Sequence, residues 1–221
     1  MDAQSESNWR VFLVEDHEFQ RQGLKAFIDA EENFEVCGEA SQASGTVGAI
    51  LESQPDAVIL DISLPDGDGL EITKKLREAL FSGAILVLTM YEEYLYAERM
   101  LRAGANGYVT KLMDPDIVSA ALNDVLNGKT YLSEEWLALK SQKGVQGELT
   151  EVIDRLELLT DRQFQVLRLI GHGKSSHAIA EELDIALSTV DVHRSKIKEA
   201  LEISDRNKLI HFAVTQFGKG K

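Results

Sequence analysis

Short apolar runs alternate with amphipathic stretches over the first 127 positions of the chain. The runs lie near 9–15, 34–39, 56–61, 84–89 and 106–110. Each is closed by polar or turn-forming residues. Val11-Phe-Leu-Val14 runs into Glu15-Asp16, and Asp56-Ala-Val-Ile-Leu-Asp61 runs into Ile-Ser-Leu-Pro-Asp-Gly-Asp-Gly. Runs of this length and ending predict buried parallel strands. The intervening stretches have helical spacing near 17–31, 42–53, 68–80, 92–103 and 114–127, with Leu70, Ile72, Leu76 and Leu80 marking one apolar face. A strand–helix unit repeated in this way predicts a parallel sheet with helices on both faces. Five strands predict the flavodoxin-like order 2-1-3-4-5, whose switch point lies between strands 1 and 3.

The pattern changes after residue 127. Gly128-Lys-Thr-Tyr-Leu-Ser133 breaks the last helix, residues 134–140 predict a short helical piece, and Ser141-Gln-Lys-Gly-Val-Gln-Gly147 is the best linker candidate. The remainder predicts only helices, near 150–158, 160–171, 175–183, 187–201 and 205–216, with Gly171 and Gly173 stopping the second. Thr160 and Gln163 have the spacing of a capping box. The short break Asp184-Ile-Ala-Leu187 joins two helices as in a helix-turn-helix. The expected organisation is a polar tail over 1–8, an α/β domain over 9–127, a linker over 128–149 and an all-α domain over 150–221.

Charge supports two modules with different partners. Residues 1–149 hold 26 acidic and 12 basic residues, a net −14, whereas residues 150–221 hold 11 of each. Positions 186–221 alone hold four acids and seven bases. The acidic half would repel nucleic acid and the late segment could touch it. The single Cys37 excludes an intrachain disulfide and is expected to be buried and inert. No apolar stretch reaches the ~18 residues of a membrane span, and the start does not read as a signal peptide. These features lead us to expect a cytoplasmic protein without membrane contact.

Candidate chemistry gathers at the strand ends. Glu15 and Asp16 follow the first strand, Asp61 the third, Thr89 the fourth and Lys111 the fifth. Any one of them alone reads as a turn former, a helix cap or a solvated side chain. Together, at one edge of one sheet, three carboxylates, a hydroxyl and an ammonium suit a divalent cation and a phosphoryl group. A hard cation such as Mg²⁺ would take oxygens from Asp16, Asp61 and the backbone carbonyl of Ser63, with Glu15 acting through water. Asp61 is the candidate nucleophile, because carboxylates serve as phosphoryl acceptors. Lys111 would offset charge on the transferring oxygens and Thr89 would hydrogen-bond one of them. A phosphatase with an Asp nucleophile also fits an α/β sheet with Mg²⁺, but it needs a general acid close after the nucleophile. Ser63 stands two residues on, so no enzyme is expected.

The stretches Val14-Glu-Asp-His17, Leu60-Asp-Ile-Ser-Leu-Pro-Asp-Gly-Asp-Gly69, Leu88-Thr-Met90 and Ala103-Gly-Ala-Asn-Gly-Tyr-Val-Thr-Lys111 resemble the receiver domain of bacterial two-component response regulators. The resemblance implies that Asp61 accepts phosphate from a sensor histidine kinase. It implies that Glu15 and Asp16 hold Mg²⁺ and that Thr89 and Lys111 read the phosphate. Tyr108 matches the switch aromatic, whose rotamer follows Thr89; the plainer reading of it is a half-buried strand aromatic.

In the helical half, Val190, Ile197 and Leu201 fall on one apolar stripe and are expected in the core. Asp191, Val192, Ser195 and Lys198 lie largely away from it. Arg194, Lys196 and Lys174 are candidate phosphate contacts, with Thr189 a weaker one. Periodicity alone is equally compatible with a plain helical bundle. The pattern Thr189-Val190…His193-Arg194-Ser195…Ile197 resembles the recognition helix of LuxR/NarL-type regulators. With the α/β half, the chain resembles the NarL/FixJ class of response regulators nearly end to end. The resemblance implies sequence-specific binding to double-stranded promoter DNA and a homodimer supported by the final helix, which carries Leu209, Ile210, Phe212, Ala213 and Phe217. Two positions depart from the pattern. Asp191 stands where that family usually has a base-contacting Lys, and Ala186 where it favours a Ser cap, a role we assign to Ser188 instead. An acid repels phosphate but can accept from cytosine N4. His193 is expected to be structural or to contact phosphate, and His172, His177 and His211 carry no assigned role. Asp191 and the neutral charge of the domain leave a second reading, in which the helical half binds protein rather than DNA.

Overall fold

The computed structural model describes residues 8–141 and 147–218, in two compact units, Met1–Ser141 and Gln142–Lys221. The predicted tail (1–8) therefore lies almost wholly outside the described residues, as does most of the linker candidate.

In the first unit, strands and helices follow in the order β1 (Trp9–Val14), α1 (Glu18–Ala30), β2 (Phe34–Ala40), α2 (Thr46–Ser53) and β3 (Ala57–Leu60). A small hairpin follows, β4 (Ser63–Leu64) with β5 (Gly67–Asp68), and then α3 (Gly69–Glu78), β6 (Ala84–Thr89), α4 (Glu93–Ala103), β7 (Gly107–Thr110) and α5 (Pro115–Leu126). The main sheet is parallel in the order β2-β1-β3-β6-β7, which is the expected 2-1-3-4-5 once the hairpin strands are set aside. All four residues of β3 and all six of β6 are buried, as befits strands covered on both faces. One core, on the side of α1 and α5, joins Val11, Leu13, Ile59, Leu86 and Val109 of the sheet to Ile28, Leu122 and Val125.

The hairpin is absent from the sequence reading, because two-residue strands carry no period. It still fixes the turn after Asp61. The Asp66 carboxylate accepts from Ala43 N (2.6 Å) and Ser44 N (2.9 Å), and Asp68 caps α3 by accepting from Leu70 N (2.9 Å). Gly69 is required by close approach: a Cβ there would lie 2.6 Å from the Asp61 carbonyl oxygen and 2.8 Å from Ile62 Cα.

Three expectations are corrected in this unit. Helix α2 begins at Thr46 rather than 42, because Gly45 takes a left-handed φ of +76°. Leu80 is not on the apolar face of α3; the helix ends at Glu78, and Leu80 has φ +60° and is 88% exposed. Cys37 is half-buried on the outer strand β2, with Sγ 3.5 Å from the Val11 carbonyl oxygen.

The unit also continues past α5. Tyr131 runs beside β7, donating to Asn106 O (3.0 Å) and accepting from Tyr108 N (3.0 Å). Ser133 donates its N–H (3.0 Å) and its hydroxyl to the two oxygens of the Glu93 carboxylate, at the start of α4. Helix α6 (Glu134–Ser141) then buries Trp136, and Lys140 pairs with Glu98. Residues 129–141 thus form a strap on the α/β unit.

Burial raises the pKa of Glu93, and the Ser133 donors oppose the rise. A raised carboxylate pKa means that the native state holds the proton to higher pH than the unfolded chain does. Stability therefore falls as pH rises from the ordinary carboxylate range through the native value, by at most about 1.4 kcal/mol per pH unit. Glu93→Gln keeps an acceptor for Ser133 and removes the titration. Its stability relative to wild type is expected to climb between pH 4 and 8, read by tryptophan fluorescence during urea unfolding. A constant difference across that range would refute the assignment.

The second unit is helical: α7 (Glu148–Glu157), α8 (Asp161–Gly171), α9 (Ser176–Glu182), α10 (Leu187–Ala200) and α11 (Arg206–Phe217). Helix α8 is central, with every residue from Phe164 to Gly171 buried. Phe164 meets Phe217 edge to face, centroids 5.4 Å apart. The capping box is present, with Gln163 N donating to Thr160 Oγ1 and Thr160 N to Gln163 Oε1. Helix α8 ends at Gly171 as expected, where Gly171 packs against Ala213 of α11, and the left-handed turn falls at Gly173, φ +76°. The turn between α9 and α10 is made by Asp184 at φ +49°, a conformation Asp tolerates better than most side chains. Ser188 does not cap α10. The helix begins at Leu187 with Ala186 as an N-cap lacking any side-chain bond, so no turn is lost from its start.

Candidate functional site

Strand register brings the predicted polar residues to one edge. Val14 pairs with Leu60, Leu60 with Val87, and Thr89 with Thr110. The ladder runs one residue past the strands, since Asp61 N donates to Val14 O (2.9 Å) and Lys111 N to Thr89 O (2.8 Å). Glu15, Asp61, Thr89 and Lys111 are therefore placed by backbone hydrogen bonds rather than by loop flexibility.

Glu15 and Asp61 are 2% and 5% exposed, so their charges need a partner. Lys111 supplies it. Its Nζ donates to Asp61 Oδ2 (2.7 Å), to Glu15 Oε2 and to Gln20 Oε1 (2.9 Å). An ammonium has three donors, and all three are used. Burial works against the charge on Lys111, but Asp61 and then Glu15 outweigh it and hold its pKa above the ordinary lysine value. Among the described residues, the other Asp61 oxygen, Oδ1, accepts only a long bond from Ser63 N (3.3 Å).

Asp16 is partly exposed at the mouth. His17 Nδ1 lies 2.8 Å from Asp16 Oδ1 and 3.3 Å from Glu15 Oε1. Donor atoms of Glu15, Asp16 and His17 all lie within 4.8 Å of one another. Thr89 is fully buried, and its hydroxyl has no hydrogen-bond partner among the described residues. Such an orphan is costly and marks a place for a missing acceptor.

The next shell links the pocket to the far side of β6. Ser63 Oγ lies 3.0 Å from Tyr91 Oη, Tyr91 stacks on Tyr96 at 4.7 Å, and the Tyr108 hydroxyl donates to the Tyr91 carbonyl (3.0 Å). Tyr108 is 1% exposed, not half-buried, and burial first of all pushes its pKa well up, so it stays a neutral donor. Gln20, Tyr91 and the His17 imidazole escaped the sequence reading. A lone Gln or Tyr has no local signature, and only the fold brings them to the pocket.

In the second unit, α9, the Asp184 turn and α10 form a helix-turn-helix. Val190, Ile197 and Leu201 are buried as expected. Ser188, Asp191, Val192, Ser195 and Lys196 are exposed, and Thr189 and Lys198 are partly so. Lys174 is exposed and pairs with Glu182 (3.3 Å). Arg194 is placed differently from a free surface contact. It is 8% exposed and donates to Ser176 Oγ (3.1 Å), and its Nη2 has no partner among the described residues. Burial, then Arg162 and Lys196, lower the pKa of His193, favouring the neutral ring. No helix among the described residues is long and apolar enough to cross a membrane.

Comparison with known proteins agrees with both units. Residues 11–123 match the response regulator receiver domain, and residues 157–213 match the bacterial regulatory proteins of the luxR family. The transcriptional regulatory protein LiaR of Bacillus subtilis is 33% identical over 204 residues, covering 92% of this chain and 96% of its own. The oxygen regulatory protein NreC of Staphylococcus epidermidis is 29% identical over 210 residues, covering 93% and 96%. RcsB of Salmonella enterica serovar Typhimurium, solved bound to promoter rprA with a phosphomimetic, aligns with TM-score 0.73 at 22% identity over 94% of this chain and 99% of that one. The chain belongs to the response regulators that join a receiver domain to a LuxR-type DNA-binding domain.

Proposed function

We propose that Asp61 is the phosphoacceptor of this response regulator and that its phosphorylation by a sensor histidine kinase controls binding to promoter DNA. The observation that carries the reading is the orphaned Thr89 hydroxyl, fully buried on the strand next to the one that ends in Asp61. In the transfer, Asp61 Oδ1 attacks phosphorus. The new O–P bond forms as the P–N bond to the donor histidine breaks, and the electron pair leaves on the imidazole nitrogen.

Magnesium fits the donors at the mouth: Glu15, Asp16, Asp61 and the Ser63 carbonyl are hard oxygens. When bound it neutralises the carboxylates and the incoming phosphoryl oxygens. Lys111 is saturated, so it reads a phosphoryl oxygen only by giving up one of Asp61, Glu15 or Gln20. Thr89 donates to a second phosphoryl oxygen. Tyr91 follows Thr89 in the chain, and its carbonyl holds the Tyr108 hydroxyl, so a shift at Thr89 reaches Tyr108 through one loop. Ser63 offers no carboxyl to protonate a leaving group, which fits a switch rather than a turnover enzyme.

On the DNA side, α10 enters the major groove. Asp191, Val192, Ser195 and Lys198 face bases, and Lys174, Thr189 and Lys196 serve phosphates, whereas the enclosed Arg194 ties α10 to Ser176 at the start of α9. The active form is a homodimer reading two half-sites.

Thr89→Ala tests the coupling. It is expected to label with acetyl phosphate at Asp61 yet lose most of the phosphorylation-dependent gain in DNA affinity. A gain equal to wild type would break the proposed route. DNA binding itself is checked by salt: log affinity should fall with log salt at about −0.9 per phosphate neutralised. No slope on any duplex would favour the reading in which the helical unit binds protein.

A further inference from the structure

The exposed face of α10 carries an acid where a polyanion would dock. Asp191 makes no hydrogen bond or ion pair among the described residues, although Lys196 and Lys198 on the same helix are also unpaired. Its carboxylate stands on one line of the helix with Ser188 and Ser195, three residues before and four after, and beside Val192, which is 52% exposed. The buried stripe of the helix, Val190, Arg194 and Ile197, runs alongside, about a quarter turn away. Asp191 therefore projects from the exposed side of α10 and not into the core.

From this we infer that Asp191 is a specificity-determining residue that selects a cytosine at one position of each half-site; the inference rests on the DNA-binding reading above. A carboxylate only accepts hydrogen bonds. The major groove offers it two donors, cytosine N4–H₂ and adenine N6–H₂; guanine and thymine present acceptors there. Adenine sets its N7 lone pair beside its donor, which repels a carboxylate, whereas cytosine has only a C–H beside N4. Desolvation sharpens the choice, because a carboxylate set against a base without a donor loses its water and gains no bond. Val192 adds apolar surface beside it, suited to a thymine methyl at the neighbouring pair.

The test is selection from a randomised duplex library by the full chain with Mg²⁺ and beryllofluoride, for wild type, Asp191→Ala and Asp191→Lys. Position 191 is exposed and makes no hydrogen bond or ion pair among the described residues, its charge acting only through space on Arg194, so both variants should fold, and their melting curves verify this. The wild-type motif is expected to hold one invariant C·G pair per half-site. Asp191→Lys should move that position to G with about a tenfold preference, since Lys pairs with guanine O6 and N7. Asp191→Ala should lose the preference there while binding random DNA more tightly than wild type. Identical motifs from all three proteins would overturn the inference and leave DNA binding intact. Failure of the wild type to enrich any sequence would overturn the DNA-binding reading itself.

Discussion

Asp61→Asn is expected to abolish phosphate incorporation from acetyl phosphate, with wild type labelled at a single acid-stable, hydroxylamine-sensitive position. The amide keeps the shape of the side chain but has no nucleophilic oxygen of comparable strength, so the loss should be complete rather than partial. Folding should survive it. Lys111 keeps Glu15 and Gln20 as acceptors, and the amide oxygen can still take the bond now made by Oδ2. Removing one of three neighbouring acids also relieves repulsion at the mouth. Asp16→Asn serves as the contrast, since it should slow labelling without preventing it. Labelling of Asp61→Asn to the wild-type extent would move the phosphoacceptor elsewhere.

Lys111→Met should destabilise the receiver by about 3 kcal/mol at neutral pH, the usual cost of leaving buried charges unpaired. Glu15 and Asp61 lose their shared cation, and both are at least 95% buried. The sign follows from the raised Lys111 pKa: its stabilisation is fully present below the ordinary lysine value and is lost only as pH rises through the native one. At pH 7 the whole effect is therefore visible. Magnesium should recover part of it, because a cation that binds the folded pocket stabilises it by mass action. The wild type, with Lys111 already in place, should gain less. Both tryptophans of the chain, Trp9 and Trp136, belong to the receiver unit, so fluorescence follows that unit alone. Equal melting of variant and wild type in EDTA would remove Lys111 from its pairing role.

Much of this was legible in the sequence, and for a definite reason. Apolar runs ending in Asp61, Thr89 and Lys111 report burial and register together, since a parallel strand must be apolar throughout and can be polar only at its tip. The same logic placed Val190, Ile197 and Leu201 in the core of the helical unit. What was not legible depends on approach between distant segments. Leu80 keeps the period of α3 but sits beyond its end. Cys37 looks like a core residue but lies on an outer strand. Gln20 reaches Lys111 across 91 positions, a distance no local pattern encodes. Arg194 is indistinguishable in sequence from a surface cation, and only the packing of α9 on α10 encloses it.

The strap after α5 bears on the outer edge of the receiver sheet. Strand β7 is last in the sheet, and an outermost strand presents unpaired N–H and C=O groups that invite a strand from another molecule. Tyr131 takes up the Tyr108 N–H and the Asn106 carbonyl on that side, and Ser133 and Trp136 hold it there. The compact α/β unit runs to Ser141, and a fragment cut at Asn127 is expected to expose that sheet edge and to self-associate, which sedimentation against a fragment ending at Ser141 would read.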